Sequence, residues 1–147
     1  KIGDQRGMAN SLTQLGIISD KRGQYDEAES FLRQSLETRK ALGDQDGIAS
    51  CLHNLGIIAE DRGNDGKAER LYKQALKIKK KIGYNQGIAS TLFNLRLLAE
   101  ERGHYARAER LYKQCQKTGR KLKDKEGIAS SLFRLGGISM VRARSMR

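Results

Sequence analysis

Apolar residues along this chain recur in paired helical stripes. Between residues 44 and 62, Ile48, Ala49, Leu52, Leu55, Gly56 and Ala59 are spaced so that they share one face of a 3.6-residue helix. After a break at Gly63 the same spacing resumes with Ala68, Leu71, Tyr72, Ala75 and Leu76. A block is therefore two amphipathic helices joined by a tight turn. The blocks themselves repeat every 40 residues: Asp4-Gln-Arg-Gly7, Asp44-Gln-Asp-Gly47, Tyr84-Asn-Gln-Gly87 and Asp124-Lys-Glu-Gly127 occupy the same place in each, with no gap. Residues 41–80 and 81–120 share 20 identities in 40 positions, which makes this a tandem repeat and not an assembly of unrelated elements.

Glycine punctuation agrees with the periodicity. Gly23, Gly63 and Gly103 stand at the turn inside each block, and Gly43 and Gly83 stand where a helix must end in a left-handed cap, with Asp44 as the next N-cap. The pattern predicts helices over 4–22, 25–41, 44–62, 65–82, 84–102, 105–122 and 124–142. One helical hairpin cannot bury both of its apolar stripes, so neighbouring blocks must stack into a continuous core. The expected fold is all-α, a right-handed solenoid of antiparallel helix pairs with no interdomain linker. It forms a single array over 1–147, with repeats over 4–43, 44–83 and 84–123 and a partial fourth over 124–147.

These residues resemble the tetratricopeptide repeat. Leu15-Gly16, Gly23, Tyr25 and Ala28 carry the resemblance in the first unit, Leu55-Gly56, Gly63, Ala68, Tyr72, Ala75 and Leu76 in the second, and Leu95, Gly103, Tyr105, Ala108 and Tyr112 in the third. The 40-residue length is similar to the repeats of kinesin light chains, of Leu-Gly-Asn type G-protein signalling modulators and of many bacterial regulators. That likeness implies peptide or protein binding. Some positions depart from the pattern. Leu12, Leu52, Leu92 and Leu132 hold the usual Trp position, and Arg96 replaces a small Gly at the close helix contact, which predicts looser packing there. Met140-Val141-Arg142-Ala143 stands where an acidic pair and a Gly turn are expected, so the fourth unit lacks its second helix. Lys1-Ile2-Gly3 reads as the tail of a preceding helix, as in a piece of a longer array or a product of processing. Leu132, Leu135 and Ile138 of the last helix are expected to offer an edge for self-association.

In this family the helix face opposite the core stripe lines the concave surface, and the resemblance implies a layered peptide-binding groove. Thr13, His53, Phe93 and Phe133 form one row; Gln14, Asn54, Asn94 and Arg134 a second; Ile17, Ile57 and Leu97 a third. Asp20, Glu60, Asp61, Glu100 and Glu101 form an acidic floor, with Ser50 and Ser90 on the same face. Ile57 and Leu97 stand opposite the core stripe, where a ligand or a neighbouring helix could cover them. Asn54 and Asn94 resemble groove asparagines that bond a peptide backbone, a task suited to an uncharged group with both donor and acceptor. The alternative is an amide bonded within its own stack. The carboxylates favour a ligand with Lys or Arg beside apolar anchors, or pair with Arg22, Arg62 and Arg102 nearby.

Charge adds a second possibility. The net charge is +12, and cations concentrate on the second helices: Arg70, Lys73, Lys77 and Lys79–Lys81, then Arg107, Arg110, Lys113, Lys117, Arg120, Lys121, Lys123 and Lys125. That convex face either grips an anionic partner such as a nucleic acid or keeps the surface solvated, and no aromatic is interleaved for base stacking. No apolar run approaches the roughly 20 residues a bilayer crossing requires, so the chain reads as soluble, without membrane insertion. Cys51 and Cys115 sit at small-residue positions inside helices and read as reduced thiols in a cytoplasmic protein. No cofactor and no metal ligand spacing is present. His53 and His104 occur at different repeat positions, and the carboxylates recur with the repeat as scaffold features do, so no catalytic constellation is expected. The sequence points to a binding scaffold for a peptide segment of another protein, with an anionic-partner binder and a structural spacer as the other readings.

Overall fold

A computed structural model describes residues 2–122, which form six helices: α1 (Ile2–Lys21), α2 (Tyr25–Leu42), α3 (Gln45–Asp61), α4 (Asp65–Ile82), α5 (Asn85–Glu101) and α6 (Tyr105–Leu122). There is no strand among the described residues. Each helix lies within two residues of the range expected at both ends. The seventh expected helix, with Phe133, Arg134 and the self-association edge at Leu132, Leu135 and Ile138, falls outside the described residues.

The boundaries have local causes. Gly23, Gly43, Gly63, Gly83 and Gly103 all take positive φ, between 66° and 77°, which a side chain would strain. At Gly43 the backbone N–H returns to Lys40 O at 3.1 Å and the following Asp44 N–H to Arg39 O at 3.0 Å, closing α2. The Asp44 carboxylate then accepts from Gly47 N at 3.0 Å and opens α3. That N–H is the main reason Asp44 ionises below its usual range, with Arg39 adding to it.

The chain divides into two compact units, Lys1–Ile78 and Lys79–Arg147. In the first, α1 packs on α2, α2 on α3, and α1 touches α3. Its core is Ala28, Leu32 and Leu36 of α2 against Ile48, Cys51, Leu55 and Ile58 of α3, with Tyr25, Leu52, Leu71 and Ile78 packed around them. Two small residues set the approach of the helices: a Cβ on Gly16 would stand 2.8 Å from Leu32 Cγ, and one on Gly56 2.7 Å from Tyr72 Cε1.

A polar network runs beside this core. The hydroxyls of Thr13 and Ser35 lie 2.8 Å apart and both reach the carbonyl oxygen of Ala9, while Cys51 Sγ donates to Ser35 Oγ at 3.4 Å. Arg39, buried at the end of α2, donates to Asn10 Oδ1 at 2.7 Å, Asp44 Oδ2 at 2.9 Å and Ser35 Oγ at 3.2 Å. One guanidinium thereby ties the end of α2 to α1 and to the N-cap of α3.

In the second unit α5 packs on α6. Ala99, Ala108 and Tyr112 form a buried cluster with Leu111 against it. Lys79 is buried at the position of Arg39 and donates to Thr91 Oγ1 at 2.7 Å. Arg96 is buried inside the second unit despite its size. It is 2% exposed, its guanidinium 4.6 Å from the Phe93 ring centroid and 4.5 Å from that of Tyr112. The flat cation thus lies against two rings at a repeat position where Gly56 of the first unit has no room for a Cβ beside Tyr72.

Candidate functional site

The first unit carries the expected surface on α1 and α3. Gln14, Ser50 and Asp61 are exposed, and Ile17, Asp20, His53, Asn54, Ile57 and Glu60 are half-buried. Ile17 and Ile57 lie outside the core cluster. Thr13 does not join them: it is 7% exposed, and its hydroxyl is used on Ser35 and Ala9. A short β-branched residue here turns inward to reach α2, whereas His53 and Phe93 at the same repeat position are too large to do so and stay half-buried. His53 lies with its ring centroid 5.5 Å from that of Tyr72, tilted by 54°.

Below Ile57 the carboxylates are held in place. The Tyr72 hydroxyl donates to Glu60 Oε1 at 2.9 Å. Burial first, then the carboxylates of Glu60, Asp61 and Asp20, hold the Tyr72 hydroxyl far above its ordinary range, so it remains a proton donor. Burial pushes Asp20 up to about 6, reinforced by a hydrogen bond to the like-charged Asp61. Asp20 of α1 and Asp61 of α3 thus meet as neighbouring carboxyl groups, a natural counterpart for a cationic side chain.

The second unit repeats the arrangement on α5 with one change. Ser90 and Glu101 are exposed, and Phe93, Asn94, Leu97 and Glu100 are half-buried. The Tyr112 hydroxyl donates to Glu100 Oε1 at 3.1 Å, as Tyr72 does to Glu60. Here, however, Arg96 Nη1 is paired with Glu100 Oε2 in addition. The acidic row expected along the repeats is therefore negative in the first unit and largely neutralised at Glu100 in the second. Arg96 Nε and Nη2 are buried without a hydrogen-bond partner.

Sequence reasoning missed Tyr72, Tyr112 and Arg96 as the buried supports of this surface. The two tyrosines had a signal, since they recur at one repeat position with a carboxylate twelve residues before each. The expected pairs of these carboxylates with Arg22 and Arg62 are not what the first unit uses: Arg62 Nη1 reaches instead to Asp26 at 2.9 Å and Glu29 at 3.5 Å on α2. Among the described residues no three His, Cys, Asp or Glu side chains are placed to hold a metal ion, and no helix is long and apolar enough to cross a membrane. Cys51 and Cys115 are buried and unpaired, and burial pushes the Cys115 thiol up to about 11 against the opposing pull of Arg96.

The sequence profile of the tetratricopeptide repeat family matches residues 4–81, and a second profile of the same description matches residues 91–126. The chain belongs to the tetratricopeptide repeat family. No curated protein sequence matches it significantly. Among solved structures, the tetratricopeptide chain is similar to BtubC (BKLC) from P. vanneervenii, at 20% identity and a TM-score of 0.78, covering 92% of this chain and 56% of that one. It is similar to kinesin light chain-like repeats of Podosopora anserina, at 18% identity and a TM-score of 0.72, covering 91% of this chain and 66% of that one. A third likeness is to the Rap conjugation gene regulator of the plasmid pLS20, solved in complex with the Phr* peptide, at 13% identity and a TM-score of 0.74, covering 89% of this chain and 37% of that one. These likenesses establish a shared tetratricopeptide fold, and the chain spans only part of each of the three.

Proposed function

We propose that this tetratricopeptide chain is a non-catalytic scaffold, working in the cytoplasm, that holds a peptide segment of another protein against the first helices of its repeats. The observation that carries the reading is on α1 and α3. Ile17 and Ile57 are half-buried outside the core, flanked on one side by the carboxamides of Gln14 and Asn54 and on the other by Asp20 and Glu60. Apolar side chains left half-covered supply contact area, carboxamides supply backbone-reading donors and acceptors, and carboxylates select sequence. The helices are fixed by the Arg39 bridge and the tyrosine–carboxylate bonds, so little ordering cost falls on the protein when a peptide docks.

The preferred peptide has apolar anchors with a Lys or Arg nearby. Its cation is matched by Asp20 and Asp61 in the first unit, and not by Glu100, whose charge Arg96 offsets. A similar fold holding the Phr* peptide in the Rap regulator supports the class of ligand. The test is selection from a random peptide library, followed by fluorescence anisotropy on wild type and on Asn54→Ala/Asn94→Ala. Micromolar peptides that weaken by about tenfold or more in the double variant, with its melting temperature unchanged, support the reading. Failure to enrich any peptide, or equal binding by both proteins, counts against it.

A further inference from the structure

The second helices carry a feature that peptide capture does not use. On α6, Arg110, Lys113, Lys117 and Arg120 are all exposed, at intervals of three, four and three residues. That spacing places them in one strip along a single helix face, about 15 Å long at a rise of 1.5 Å per residue. Glu109 is the only acidic residue of the helix. The corresponding positions of α4 are Arg70, Lys73, Lys77 and Lys80, again exposed and again all cationic, with Lys73 paired to Glu69 at 3.1 Å. On α2 the same four positions are Ser30, Arg33, Glu37 and Lys40, with Arg33 paired to Glu29 at 2.7 Å. The strips on α4 and α6 thus differ from α2 in carrying four cations where α2 carries two.

We propose that the exposed face of α6 binds the phosphodiester backbone of a nucleic acid without reading its sequence. The neighbouring exposed residue is Gln114, a hydrogen-bonding group, and over 105–120, the described side chains of α6, no large apolar side chain is exposed. An acidic peptide would find no apolar anchor there, and a lipid surface would find nothing to insert into it. What matches a strip of charge and hydrogen bonds alone is a dense row of phosphates, which arginine meets with paired N–H donors and lysine as a point charge. With no aromatic on this face, bases are not stacked, so the affinity is electrostatic and insensitive to sequence.

The full chain is titrated into fluorescent 20-base-pair duplexes of two unrelated sequences at several salt concentrations. With roughly four phosphates neutralised, affinity falls on the order of 100-fold between 50 and 200 mM salt, equally for both duplexes. The variant Arg110→Gln/Lys113→Gln/Lys117→Gln/Arg120→Gln loses most of the binding and flattens the salt slope. The control Arg6→Gln/Lys21→Gln/Arg22→Gln/Lys40→Gln removes as much charge from other exposed sites and leaves binding within a few-fold of wild type. Circular dichroism confirms that both variants are folded, as expected for exposed positions. The proposal is overturned by no binding at 50 mM salt, by a control that loses as much as the α6 variant, or by equal or tighter binding to polyglutamate or to vesicles of phosphatidylserine.

Discussion

The Tyr72 hydroxyl donates to Glu60 Oε1 at 2.9 Å, and forty residues later the Tyr112 hydroxyl makes the same bond to Glu100 Oε1 at 3.1 Å. Each bond pins a carboxylate of a first helix to the second helix of its own repeat. Tyr72→Phe removes the donor while keeping the ring, and is expected to lower unfolding stability by about 1 kcal/mol in urea titrations. Tyr112→Phe is expected to act similarly and nearly additively, because the two bonds share no partner.

Asp20 is the group most clearly poised to respond to pH. Its folded value, about 6, lies above the ordinary 3.8. Between these values the folded state holds a proton that the unfolded state has released, so this carboxyl's contribution to stability declines as pH rises from about 4 to 6 and is level above that. Asp20→Asn removes the decline. Urea midpoints measured from pH 4 to 7 should show the variant gaining on wild type across that window and remaining the more stable at pH 7. A constant difference at all pH values would mean that Asp20 titrates normally.

The Arg39 bridge predicts a non-additive pair of substitutions. Arg39→Met leaves Asn10 Oδ1 and Asp44 Oδ2 without the guanidinium donor and should cost about 2–3 kcal/mol. At Gly47 a Cβ would stand 2.3 Å from Asp44 Oδ2 and 2.5 Å from Arg39 Nη1, so Gly47→Ala must displace the same bridge. The double variant should then be little worse than the more damaging single variant, as a double-mutant cycle by denaturant unfolding will measure.

The helices and their ends were legible from the chain because period and punctuation agree: the five glycines with positive φ stand where the apolar stripes break. The inward and outward faces of α3 and α5 were legible for the same reason. What the stripes could not show was the chemistry of individual positions at the seams. Arg39 follows Leu32 and Leu36 at seven and three residues, so helical spacing alone puts it on the core side, but the three acceptors that make its burial tolerable lie on three different helix segments and leave no local signal. Thr13 shares a repeat position with His53 and Phe93, yet only a short hydroxyl side chain can turn in toward Ser35. Arg96 was read as an oversized substitute for Gly: Phe93 stands three residues before it on α5, but the second ring, Tyr112, comes from α6 and no local pattern places it there.

The most direct measurement is amide chemical-shift mapping by NMR with a library-selected peptide on isotopically labelled protein. Peptide capture on the first helices predicts that the largest perturbations fall on Gln14, Ile17, Asn54 and Ile57, with a second set at Asn94 and Leu97, leaving the exposed faces of α2, α4 and α6 unmoved. Perturbations centred on those second helices, or none under saturating peptide, would contradict it.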